Sequence, residues 1–142
     1  MEWTHDELLK LAQEHIAQKE VDAEHNVSSD MIQVVMVEPM KEPYKETILN
    51  DLTVFQKIVN GYIEIMTIGK TETGGFLAMT MNEEGKLLNL PFNKRIVRTK
   101  DTDMIVGTFF ITAYNTDGEN VSLSDEMCEK LIKKFKRLEV YL

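Results

Sequence analysis

Met31-Ile32-Gln33-Val34-Val35-Met36-Val37 is the stretch from which the fold is read. A branched Cβ crowds the preceding turn of a helix but packs well on a pleated strand, so this run predicts a strand. Glu38-Pro39 ends it, because proline has no N–H to give to a ladder. Residues 40–42 make a turn, and Tyr44-Lys45-Glu46-Thr47-Ile48-Leu49 returns as a second strand.

Downstream, Leu52, Phe55 and Val59 recur at helical spacing, and Asn50 or Asp51 is placed to cap a short helix over 51–59. Asn60-Gly61 marks its stop, with the glycine suited to a left-handed position. Residues 62–68 alternate and predict a strand, 69–75 a loop, and 76–81 the next strand, with a turn at Glu84-Gly85. Leu87-Leu88 starts a short apolar piece that Pro91 interrupts. Residues 104–114 predict one long strand, in which Gly107 marks a bulge or a close backbone approach. Asp117-Gly118 is the core of a turn over 115–119. Ser124 caps a last helix that reaches about Leu138. Met127, Cys128, Leu131, Ile132, Phe135 and Leu138 form its buried stripe, while Lys130, Lys133, Lys134 and Lys136 face water.

Upstream, Thr4 and Glu7 have the spacing of a capping box, and Leu8, Leu11, Ala12 and Ile16 follow at helical spacing. They predict a helix over 5–21, with Asn26-Val27-Ser28-Ser29 as a hinge. The expected fold class is α+β: a mostly antiparallel sheet with an N-terminal helix, one short internal helix and a C-terminal helix. The expected organisation is an acidic amphipathic helix and hinge over 1–30, then a single α+β domain over 31–142.

Charge is uneven along the 142 residues. Residues 1–30 hold eight acids and two lysines, while 31–142 hold sixteen acids and fourteen bases. The formal charge of −8 argues against nonspecific nucleic-acid binding, which needs a basic surface to displace counterions. No apolar run approaches the ~20 residues of a membrane-spanning helix, and the acidic start lacks the basic and apolar regions of a secretory signal. A cytoplasmic location is the expectation, and the resemblance described below implies that the cell is a bacterial host. The single cysteine, Cys128, forms no internal disulfide and excludes a cysteine-rich zinc module. His5, His15 and His25 stand ten apart and do not share a helix face at metal-binding spacing. No nucleophile–base set, metal set, phosphate loop or dinucleotide fingerprint emerges, so neither enzymatic activity nor a cofactor is expected.

The candidate site lies in Asn82-Glu83-Glu84-Gly85-Lys86-Leu87-Leu88-Asn89-Leu90-Pro91-Phe92-Asn93, which combines two acids, terminal amides, a turn glycine and a proline. Phe92 offers a stacking face, and Lys94, Arg95 and Arg98 follow at once, arginine being able to grip phosphate through a bidentate fork. Tyr62 and Glu64 are expected across the sheet. Together with Gly61-Tyr62-Ile63-Glu64 and Gly107-Thr108-Phe109-Phe110, this run resembles a family of small domains of unknown function from phages, plasmids and integrative elements of Gram-positive bacteria. The resemblance spans about 31–135 and places the family's asparagine–glutamate and proline–asparagine features at Asn82, Glu83, Pro91 and Asn93.

Two functional expectations follow. The first is a non-enzymatic accessory protein, a homo-oligomer, that binds a small anionic, nucleotide-like ligand through Tyr62, Asn82, Glu83, Phe92, Asn93, Lys94, Arg95 and Arg98; the habitat implied by the resemblance extends this to sequestering a host immune signal. The second is an inhibitor or regulator of a host defence protein that lays the N-terminal helix into a partner groove.

Overall fold

The computed structural model describes residues 30–142. The strand pair that opens the sequence argument forms as read. Strand β1 (Met31–Val37) runs antiparallel to β2 (Tyr44–Leu49), with Met31 opposite Leu49 and Met36 opposite Tyr44. Helix α1 (Leu52–Val59) follows, capped by Asp51, whose carboxylate accepts from the N–H groups of Thr53 and Val54. Asn60, not Gly61, takes the left-handed conformation (φ 63°). Asn60 N–H reaches the Lys57 carbonyl and Gly61 N–H the Gln56 carbonyl, closing the helix with a Schellman motif.

The chain continues through β3 (Ile63–Lys70), β4 (Phe76–Asn82), β5 (Phe92–Val97), β6 (Thr102–Val106), β7 (Phe109–Tyr114), β8 (Asn120–Val121), helix α2 (Asp125–Phe135) and β9 (Glu139–Tyr141). The strands sort into two sheets. One has the order β2-β1-β7-β4-β3, with β8 added to β7, and the other the order β6-β5-β9. Every pairing is antiparallel except β5 with β9.

This corrects the expected fold class. The described residues form two β-sheets and two helices, the internal and the C-terminal one. The expected N-terminal helix, and the partner-groove role given to it, lie outside the described residues. The second correction has a local cause. The expected long strand over 104–114 is two strands in different sheets, because Gly107 adopts φ 77° and turns the chain from one layer into the other. A side chain at Gly107 would start 2.8 Å from Leu90 Cδ1, so the turn is also a close approach.

Alternation along the strands of the larger sheet feeds two cores. Val34, Met36 and Phe110 face α1, where they meet Val54, Phe55, Ile58 and Val59. Val35, Val37, Phe109 and Ile111 face the other way, onto Cys128, Leu131 and Phe135 of α2 and onto Ile96, Ile105 and Val140 of the smaller sheet. The neighbours Phe109 and Phe110 thus anchor opposite layers: Phe110 lies 5.1 Å from Phe55 and Phe109 lies 5.9 Å from Phe135, centroid to centroid. The order is helix, large sheet, then small sheet with α2. Helix α2 has the predicted cap, Ser124 Oγ accepting from Met127 N–H, but ends at Phe135, leaving Leu138 exposed rather than on the buried stripe.

Candidate functional site

Among the described residues the smaller sheet is covered on its inner face and bare on its outer one. Its central strand β5 carries a bulge. Phe92 pairs with Val106 and Lys94 with Ile105, which leaves Asn93 as an extra residue. The bulge explains why Asn93 and Lys94 are both buried in succession, and it keeps Phe92 and Arg95 on the same outward face. Around them on that face stand Met104 of β6, opposite Arg95, and Glu139 and Tyr141 of β9, opposite Arg95 and Val97. Phe92 is 40 % and Tyr141 64 % exposed, open enough to receive a planar group.

Glu139 joins two of these side chains. Arg95 Nη1 lies 3.5 Å from Glu139 Oε2, and the Tyr141 hydroxyl donates to Glu139 Oε1. That hydrogen bond and the carboxylate charge hold the Tyr141 phenol above its ordinary pKa, with Arg95 opposing. Aromatic, methionine and arginine side chains around a half-exposed ion pair are the residue types enriched at interfaces.

The other residues expected at the site are not gathered there. Asn93 is a structural clamp: its Nδ2 donates to the Val37 carbonyl at 2.9 Å and the Gly107 carbonyl at 2.8 Å, tying the small sheet to the end of β1 and to the crossover. Asn82 is a second clamp. Its Nδ2 donates to the Val59 carbonyl at 2.9 Å, and its Oδ1 accepts from Glu84 N–H at 2.7 Å, fixing α1 to the turn after β4. Lys94 is 3 % exposed, and burial holds its ammonium below the ordinary pKa. Arg98 sits in the β5–β6 hairpin, held by both oxygens of Asp101 at 3.0 and 3.2 Å.

Tyr62 is exposed at the entry to β3, where its carbonyl accepts from Glu83 N–H at 2.9 Å. Glu83 lines a separate cleft with Glu64, Glu84 and Asp103, in which Lys86 Nζ lies 3.1 Å from Asp103 Oδ1. The sign of that cleft repels an anion. The expected Glu84-Gly85 turn is one helical turn ended by a second Schellman motif, with Asn89 left-handed (φ 56°) and Leu87 and Leu88 exposed. Glu139 and Tyr141 were not anticipated. The alternation in Glu139-Val140-Tyr141, with two strong β-formers, is the signal for a short strand that places them.

Burial pushes the Cys128 thiol above its ordinary pKa, which disfavours the thiolate form. Among the described residues, no three His, Cys, Asp or Glu side chains are grouped to hold a metal ion, and no helix is long and apolar enough to cross a membrane.

Neither the curated proteins nor the solved structures include one that matches this chain. A family model, described as a domain of unknown function (DUF3846), matches residues 32–136, which run from β1 through α2. The match takes in the larger sheet, strands β5 and β6 of the smaller one and both structural asparagines, while β9 lies past its end; the chain therefore belongs to this family of small domains of unknown function.

Proposed function

We propose that the protein is a non-enzymatic binding protein whose contact surface is the outer face of β6-β5-β9, and that its ligand is a small planar anion of nucleotide type. The observation that carries this reading is the bulge at Asn93, which sets Phe92 and Arg95 side by side on an uncovered face next to Tyr141. Phe92 stacks on the base, a contact worth about 1–3 kcal/mol. Arg95 takes the phosphate, exchanging Glu139 for the ligand. The exchange is cheap, because an ion pair that is about half exposed contributes only ~0–1 kcal/mol. The proposed site reduces to Phe92, Arg95 and Tyr141. The extension to a phage or mobile-element protein that sequesters a host immune signal is supported by the family resemblance alone.

Calorimetry against cyclic and linear nucleotides tests the proposal. Arg95→Ala loses about 1.5–3 kcal/mol, the scale of a hydrogen bond to a charged group, and Phe92→Ala also weakens binding. Glu139→Gln tightens it by freeing the guanidinium, and Lys134→Ala on the exposed face of α2 changes nothing. Absence of binding by every nucleotide, or unchanged binding by Arg95→Ala, refutes the site.

A further inference from the structure

Two strand edges end on the same side of the molecule. Among the described residues the edge strands are β2 and β3 in the larger sheet and β6 and β9 in the smaller; β3 pairs only with β4 and β6 only with β5, so each leaves one long side open. The two edges lie near each other. Glu64 of β3 shares a cleft with Asp103, Met104, Ile105 and Val106 of β6, and Thr67 and Ile68 share a shallow groove with the β5–β6 hairpin. An open row of backbone N–H and C=O groups is a template for another strand, and natural edges are usually blunted. Here the strongest blunting is at one end of β3, where a bulge falls between Thr67 and Gly69 and Lys70 follows, and the other end carries one exposed charge, Glu64. Ile63 to Thr67 remain regular, and Ile65 is 48 % exposed on them.

Charge divides along this side. Glu64, Glu83 and Glu84 cluster at one end, with Asp103 already held by Lys86. At the other end Arg98 is neutralised by Asp101, leaving Lys100 and Lys70 as the excess. A parallel neighbour would set acid on acid. An antiparallel one sets the acidic end on the basic end.

We propose that this side is an isologous interface and that its occupant is a second copy of the chain, paired β3 to β3 about a two-fold axis at Ile65. The axis places Ile63 opposite Thr67 of the second copy, joins the two large sheets into one, and brings Glu64 and Glu83 onto Lys100 of the second copy. The pairing satisfies the open edge, and the two-fold closes the assembly at a dimer rather than a filament.

Light scattering over a concentration series, with hydrogen exchange on β3, tests this. The parent is a dimer with protected Ile63–Thr67 amides, and Ile65→Lys is a monomer. Glu64→Lys and Lys100→Glu each weaken the dimer about tenfold, from two symmetry-related contacts and the repulsion that replaces them. The combined variant restores it, because the swapped charges meet again across the axis. A parent that stays monomeric overturns the proposal. So does an Ile65→Lys protein as dimeric as the parent, or a combined variant no tighter than its single components.

Discussion

Removing the Asn93 amide tests the claim that one buried side chain couples the two sheets. Asn93 is 1 % exposed, and its Nδ2 serves two carbonyls, Val37 at the end of β1 and Gly107 at the crossover into β7. Asn93→Ala deletes both hydrogen bonds and leaves both oxygens buried. Stranding a buried acceptor costs about 1–3 kcal/mol, so two give roughly 2–6 kcal/mol before the small cavity is counted. Asn93 Oδ1 has no partner, so its removal returns part of that cost and places the expectation near 3–4 kcal/mol. A loss of this size is a large share of the ~5–15 kcal/mol stability of an ordinary domain. Urea unfolding at equilibrium reads it directly, and melting should fall by about 10 °C. A cost under about 1 kcal/mol, similar to that of Arg95→Ala on the open face, refutes the coupling.

The remaining predictions concern two buried positions. Lys94→Met raises stability at neutral pH by about 1 kcal/mol or more, since a charge no longer has to be kept out of water. The folded pKa of Lys94 is lowered, so the unfolded chain binds the extra proton; the parent's stability therefore rises relative to Lys94→Met between that lowered value and the ordinary 10.5, and the gap closes above it. Paired unfolding curves across this alkaline range check the sign, and a gap that does not change with pH refutes it. Gly75→Ala destabilises by about 3 kcal/mol, because a Cβ there would sit 1.9 Å from the Tyr114 carbonyl oxygen; an unchanged melting temperature would show that the β3–β4 loop can move aside.

Local chemistry was legible where it acts within a few residues. The β-branched run Met31–Val37, the Asp51 and Ser124 caps, the Asp117-Gly118 turn and the lysines along the exposed side of α2 are short-range effects of backbone sterics, capping and periodicity, and each lies where the sequence points. The sequence also singled out Asn82, Asn93 and Gly107. It read the asparagines as ligand groups, because an amide's hydrogen-bonding capacity is the same toward a ligand and toward a distant backbone carbonyl. Their partners, Val59 for Asn82 and Val37 for Asn93, are 23 and 56 residues away, and no local pattern reports them. Only the tertiary structure decided that residues 102–114 split between two sheets, since a strand's propensity does not say which neighbour it will pair with. It alone also decided that the bulge at Asn93 turns Phe92 and Arg95 outward together beside Glu139 and Tyr141. That face exists because the parallel pairing of β5 with β9 brings the end of the chain back to its middle, a contact that burial of Ile96 and Val140 stabilises and sequence distance hides.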